Sequence, residues 1–67
     1  MTIELNGRTV QLRDDATVAA AVEAAGAQAQ RGIAVAVDGE VVPRSEWDAT
    51  SLREGQHVEV LQAVQGG

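Results

Sequence analysis

The chain has 67 residues and a formal net charge of −5, with ten acidic residues, five basic ones, no cysteine and a single aromatic residue, Trp47. A core of this size has no room for an enclosed active site with its supporting shell, which argues against a self-sufficient enzyme. The lack of cysteine excludes a disulfide scaffold and a CxxC metal or redox site, and the negative charge disfavours nucleic acid as a partner.

The first predicted element is a β-hairpin. Apolar side chains alternate with polar ones on both sides of Asn6-Gly7, and this dipeptide supplies the two positive φ angles that a tight hairpin turn needs. The pattern predicts strands over about 2–6 and 8–12.

A helix is predicted next, over about 18–25. Thr17 or Asp15 can cap its start, the alanine-rich segment has high helix propensity, and Gly26 suits the left-handed position after its end. Asp14-Asp15 is interpreted as helix-start chemistry, through capping and the positive end of the dipole, and not as a catalytic carboxylate pair. One small apolar face, able to lie close to a sheet, recurs at helical spacing: Val18, Ala21, Val22 and Ala25.

The second half predicts a further hairpin, a short irregular segment and a last strand. Asp38-Gly39 is the turn of a hairpin over 33–43, in which Pro43 ends regular pairing. Short turns or a 3₁₀ piece are expected over 45–52, a tight turn over 54–56 and the final strand over 57–61. Because one helix can cover one sheet face only, we expect a single α+β domain over 1–67, a mixed sheet of about five strands wrapped on one main helix. Its other face stays exposed and its tail, 63–67, is flexible.

Residue types that carry catalysis are sparse. His57 is the only histidine, and without a cysteine to activate it is interpreted as a strand-edge residue. The glycines lack the strand–GxxxxGK–helix context of a phosphate loop. Trp47 is expected to close one end of the core.

The final strand predicts a docking surface beside the tail. If Val58 and Val60 face the helix, period-2 alternation turns Glu59 and Leu61 outwards. On the third strand the outward pair is Ala34 and Ala36. The result is a shallow apolar patch at the root of the tail.

The tail itself predicts a working chain end. Residues 63–67 can extend roughly 17 Å from the patch. Gly66 and Gly67 have no Cβ to collide with a narrow channel, and the terminal carboxylate of Gly67 is unshielded. We therefore expect a carrier that docks by its sheet and inserts Val64, Gln65 and Gly66 into a partner's active site.

The N-terminal sequence shows no evident signal peptide, and no apolar stretch approaches membrane-spanning length. We expect a cytoplasmic protein without a membrane partner, whose acidic surface is steered towards a basic protein face.

Several segments resemble the ThiS family, the sulfur carriers of thiamine biosynthesis in the ubiquitin-like β-grasp class. The matching residues are Leu5-Asn6-Gly7, Thr17-Val18, 32–47 and 64–67. The resemblance covers essentially the whole chain. Residues 41–47 are its most specific part, whereas Gly66-Gly67 is shared by all related carriers.

The resemblance implies a protein co-substrate that binds no cofactor itself. A ThiF-type adenylyltransferase would use ATP to adenylate the Gly67 carboxylate, which would then become a thiocarboxylate. A cysteine desulfurase or similar donor would supply the sulfur, and thiazole synthase (ThiG) would receive it while building the thiazole ring of thiamine. Activation is needed because a terminal carboxyl, with a pKa of about 3.3–3.7, is ionised near neutral pH and is a poor electrophile.

Three alternatives remain open. The small subunit of molybdopterin synthase shares the fold and the Gly-Gly end, but is usually longer and has different loop residues. A ubiquitin-like modifier would use the same acyl-adenylate to form isopeptides, although this chain has no lysine to serve as acceptor for its own copies. From a different class, the chain could be a passive β-grasp interaction module with an incidental Gly-Gly pair.

Overall fold

The computed structural model describes residues 1–26 and 32–62. In this part of the chain the elements are β1 (Thr2–Leu5), β2 (Arg8–Gln11), α1 (Val18–Ala24), β3 (Ile33–Val37), β4 (Glu40–Val41), a 3₁₀ helix (Arg44–Glu46) and β5 (His57–Gln62). The predicted α+β fold, a mixed five-stranded sheet on one helix, is confirmed. Neither of the helices in 1–26 and 32–62 is long and apolar enough to cross a membrane.

The sheet places its last strand in the centre. The spatial order is β2-β1-β5-β3-β4. β5 runs parallel to β1 and antiparallel to β3, while β1–β2 and β3–β4 are the two antiparallel hairpins. The first and last strands are therefore hydrogen-bonded neighbours.

Both hairpin turns have the predicted chemistry. Asn6 and Gly7 adopt φ angles of 51° and 81°, and Asp38 and Gly39 adopt 50° and 86°. Two consecutive positive φ angles match the right-handed twist of the flanking strands, which is why Asn-Gly and Asp-Gly are favoured there. Gly26, with a φ of 76°, also has the predicted left-handed conformation just after α1.

The start of α1 is capped differently from the prediction. Thr17 is the N-cap residue, but its side chain makes no capping hydrogen bond, and the first turn contains no acidic residue. The helix amides instead point at the irregular segment: Val18 N–H donates to the Thr50 carbonyl at 2.9 Å, and Ala19 N–H to the Trp47 carbonyl at 3.2 Å. Backbone carbonyls from far along the chain satisfy the orphan donors that a side chain was expected to take.

The helix-start explanation of Asp14-Asp15 is therefore wrong. Both residues precede the helix and are exposed. Asp14 accepts a 2.9 Å hydrogen bond from the Met1 ammonium group, and this bond with its charge lowers the pKa of the Asp14 carboxyl. The Asp15 carboxylate lies 3.6 Å from Arg13 Nε. Asp14 thus helps to fasten the start of β1, which sequence spacing alone could not show.

The core lies between α1 and the inner sheet face. From the helix it takes Val18, Ala21 and Val22, and the small Ala21 lets the helix approach the sheet closely. Trp47, 7% exposed, is part of this core as predicted, and its indole N–H donates to the Val42 carbonyl at 2.9 Å. The remaining members of the core cluster are Ile3, Leu5, Val35, Val37, Leu52, Val58 and Val60.

Candidate functional site: the outer face of the sheet

The central strand separates its side chains by face. Val58 and Val60 are 1% and 7% exposed and pack in the core, while Glu59 and Leu61 point to solvent. Leu61 is 65% exposed although it lies on the central strand of the sheet. The structure thus gives these four side chains the orientation that alternation predicts.

Strand register assembles an apolar patch around Leu61. Ala34 of β3 is directly opposite Leu61, and Ala36 is opposite Glu59. On its other side Ala36 is opposite Val41 of β4, which is 74% exposed. Directly paired residues share a face, so one surface, here called the outer apolar patch, consists of Ala34, Ala36, Val41 and Leu61.

Val41 is the member that the sequence analysis missed. The signal was present in the sequence, because a two-residue turn at Asp38-Gly39 pairs Val37 with Glu40 and therefore Ala36 with Val41. An outward Ala36 thus requires an outward Val41. The patch is wider than the predicted one and spans three strands.

His57 lies on the same face, beside the patch. His57 is the first residue of β5, at the start of the strand as predicted, and β5 is the central strand of the sheet. Its Nε2 is 2.9 Å from Glu4 Oε1 and its Nδ1 is 3.9 Å from Asp38 Oδ1. The imidazole therefore links β1 to the β3–β4 turn across β5.

This cluster does not have the geometry of a metal centre. The two carboxylates contact opposite nitrogens of one ring and do not converge on a common point. Within residues 1–26 and 32–62 no group of three His, Asp or Glu side chains could hold a metal ion.

Asp38 fastens the start of β5 from its turn. Its carboxylate accepts the His57 backbone N–H at 3.0 Å and the Gln56 side-chain amide at 3.2 Å. The first of these bonds is the largest reason why the pKa of the Asp38 carboxyl lies below its ordinary value, and the Gln56 bond adds to it. Asp38 thus does more than permit a turn.

Asn6, in the other turn, fastens the same strand farther along. Its Oδ1 accepts the Val60 N–H at 2.8 Å, and its Nδ2 donates to the Val60 carbonyl at 3.2 Å. The two turn side chains therefore hold β5 at two points, at His57 and at Val60. Sequence analysis assigned both residues to turns and missed these contacts.

The predicted tail residues lie outside the described part of the chain. β5 ends at Gln62, and residues 63–67 follow, so Val64, Gln65, Gly66 and Gly67 are among those that the structure does not describe. Leu61 is two residues from Ala63. The outer apolar patch therefore borders the strand end from which the tail continues.

A concave surface lies between β2 and α1. It is an open groove, with Leu12, Ala16 and Ala20 among its lining residues and Arg13, Asp15 and Glu23 around them. Its lining residues include no His and no Cys.

Comparisons with known proteins give a consistent result. The sequence model of the ThiS family matches residues 2–67. The fold is similar to a crystal structure of a thiamine biosynthesis protein (ThiS) from Geobacter metallireducens, with a TM-score of 0.79 and 28% identity over 100% of both chains. It is also similar to an NMR solution structure of a thiamine biosynthesis protein from that organism, with a TM-score of 0.75 and 30% identity over 100% of this chain and 88% of the other. No curated protein sequence matches significantly.

Proposed function

Because the chain belongs to the ThiS family, we propose that it is a sulfur carrier in thiamine biosynthesis, whose Gly67 carboxylate is adenylated, converted to a thiocarboxylate and used as the sulfur donor for thiazole formation. The observation that carries the proposal is the extent of the family match, which runs from residue 2 to residue 67 and so includes the Gly66-Gly67 pair.

The chemistry starts from an ionised carboxylate. An oxygen of Gly67 attacks the α-phosphorus of ATP, pyrophosphate leaves, and an acyl-adenylate forms. Hydrosulfide, or an equivalent sulfur nucleophile, then attacks the acyl carbon and expels AMP. The net change replaces one carboxylate oxygen by sulfur without oxidation or reduction. A thiocarboxylate gives a chain without cysteine a nucleophilic sulfur.

Partner enzymes supply the catalysis in this proposal. A ThiF-type adenylyltransferase binds ATP and activates Gly67, a cysteine desulfurase or similar donor provides sulfur as a persulfide that a thiol reduces to the sulfide level, and ThiG accepts it. We expect this exchange to take place in the cytoplasm.

The outer apolar patch is the proposed docking surface for these enzymes. Leu61 and Val41 are the large apolar side chains that the described residues leave exposed, and both lie on one face with Ala34 and Ala36. The small alanines leave room for a partner side chain to reach the sheet. Glu59 lies beside them. This carboxylate and the chain's net charge of −5 favour a partner whose interface has a basic rim.

Intact mass spectrometry tests the proposal. The full chain is incubated with the activating enzyme of its host, ATP and sulfide, and fragmentation should place one oxygen-to-sulfur exchange at Gly67. A chain ending at Gly66 is the matched control and should stay unchanged. An unaltered mass, with an enzyme that converts a control carrier, would refute the proposal.

The same measurement on protein purified from the host separates the alternatives. A thiocarboxylate indicates a carrier, an adduct with another protein indicates a modifier, and an unmodified acid indicates a passive interaction module. Identifying the co-purifying synthase then distinguishes thiazole formation from molybdopterin formation.

A further inference from the structure

The backbone pairing between β1 and β5 stops before β5 ends. Its last residue pair is Leu5 with Val58, followed by the Asn6 N–H bond to the Val58 carbonyl at 2.9 Å. The chain then reverses at Asn6-Gly7 into β2. On the other side β3 pairs with β5 as far as Gln62. In the described residues, the end of β5 thus has a backbone partner strand on one side only.

The side chain of Asn6 takes the place of the missing strand. It accepts the Val60 N–H and donates to the Val60 carbonyl, at 2.8 and 3.2 Å. One amide group therefore satisfies both backbone groups that a continuing β1 would have bonded. Val60 is only 7% exposed, so leaving its backbone N–H and carbonyl without hydrogen-bond partners would be costly.

The choice of residue type follows from the turn. A positive φ, 51° at Asn6, is tolerated well by Gly, Asn and Asp. Of these three, only Asn carries both a donor and an acceptor. At the corresponding turn position Asp38 bonds a single backbone donor on β5, the His57 N–H, for which a carboxylate suffices. The residue type in each turn therefore matches the backbone groups of β5 that its side chain bonds: a donor and an acceptor for Asn6, a donor alone for Asp38.

From these contacts we infer that Asn6 is a positioning residue for the sulfur-carrying tail. Its amide clamps β5 at Val60, three residues before Ala63. The clamp stops the strand end from bending away from β1 and so fixes the direction in which β5 leads into residues 63–67. The point at which the tail starts is then fixed relative to the outer apolar patch, which reduces the volume that the Gly67 carboxylate has to search to reach the nucleotide. The inference rests on the proposed function.

Three full-length variants test the clamp. Asn6→Gly keeps the positive φ and removes both side-chain bonds, whereas Asn6→Asp keeps the acceptor for the Val60 N–H and loses the donor. Asp38→Gly is the matched control, because it makes the same change in the other turn and releases β5 at His57 instead. The measurements are amide hydrogen exchange, residual dipolar couplings of the Gln62 N–H, urea denaturation, and kcat and KM for activation by the host's activating enzyme.

In Asn6→Gly we expect the Val60 amide to exchange about tenfold faster than its global unfolding accounts for. The Gln62 couplings should change, and kcat should fall about tenfold while KM stays within about twofold, because the patch is intact and only alignment is lost. Asn6→Asp should be intermediate in every measurement. Asp38→Gly should accelerate exchange at His57 and retain the parental Gln62 couplings and kcat.

Unchanged Gln62 couplings in Asn6→Gly would overturn the inference, and so would an equal fall of kcat in Asp38→Gly, since both results describe a merely stabilising contact. If the parental chain is not activated at all, the proposed function fails. The couplings, measured on the isolated carrier, still decide whether Asn6 sets the direction of the strand end.

Discussion

Replacing Leu61 by Asp should separate folding from docking. Leu61 is 65% exposed, so roughly a third of its area is buried in the free protein. Full burial of a leucine contributes about 1.5–3 kcal/mol, and losing a third of it costs about 0.5–1 kcal/mol. The poorer strand propensity of Asp adds up to about 1 kcal/mol. A domain of this size has about 3–10 kcal/mol of stability, so the variant should remain folded.

Docking should respond far more strongly. Covering the exposed two thirds of Leu61 contributes about 1–2 kcal/mol, and Asp both loses this and leaves an unpaired charge in the interface. We expect a loss of about 2 kcal/mol or more in binding to the activating enzyme, a roughly thirtyfold weaker Kd.

Calorimetric titration and thermal melts of three variants check this prediction. The control for added charge is Gln11→Asp. Gln11 is exposed on β2, pairs with Thr2 and lies outside the outer apolar patch, so this variant should bind like the parent. Val60→Asp buries a carboxylate at a position that is 7% exposed and should unfold the domain. A Leu61→Asp protein that unfolds like Val60→Asp would refute the assignment of faces, and one with parental affinity would refute docking through the patch.

Two further predictions concern the tail and one carboxylate. A residue appended after Gly67 should abolish activation, because it displaces the reacting carboxylate by about 3.5 Å, and Gly66→Val should be nearly as damaging because its Cβ collides with the channel of the partner enzyme. Pyrophosphate release measures activation of both variants, and their thermal melts should match that of the parent. Full adenylation of the extended chain, without prior trimming, would contradict the reasoning. Because the pKa of Asp38 is lowered from 3.8, its ionised form stabilises the fold above that pH and the contribution is lost as pH falls through the folded-state value. The stability difference between the parent and Asp38→Asn, from urea titrations, should therefore shrink between about pH 5 and pH 3, and a constant difference would show that the carboxylate contributes no pH-linked stability.

Features encoded by neighbouring residues were predictable from the sequence. The Asn6-Gly7 and Asp38-Gly39 turns and the outward direction of Leu61 follow from local φ requirements and from period-2 alternation. The start of α1 at Val18 was also predicted, and its end differed by one residue.

Features that depend on distant segments were not predictable in this way. The helix start is capped by carbonyls of Trp47 and Thr50, so the nearby Asp15 was a misleading candidate. The position of β5 at the centre of the sheet, and the bonds from Asn6 and Asp38 to it, need the tertiary arrangement. Val41 lies between these cases, since the turn register implies its direction.

The two faces of the sheet divide the sequence into nearly independent sets of positions. Val58 and Val60 belong to the helix side, and Glu59 and Leu61, interleaved with them, belong to the solvent side. If the outer apolar patch is the docking surface, as proposed, substitutions at the outward positions of β3, β4 and β5 change partner choice and leave the hydrophobic core intact. A cell with several carriers of this fold could then prevent cross-reaction between their sulfur-transfer pathways by differences at these outward positions alone. The same positions are the first to vary in engineering a carrier and enzyme pair that does not react with related carriers and enzymes.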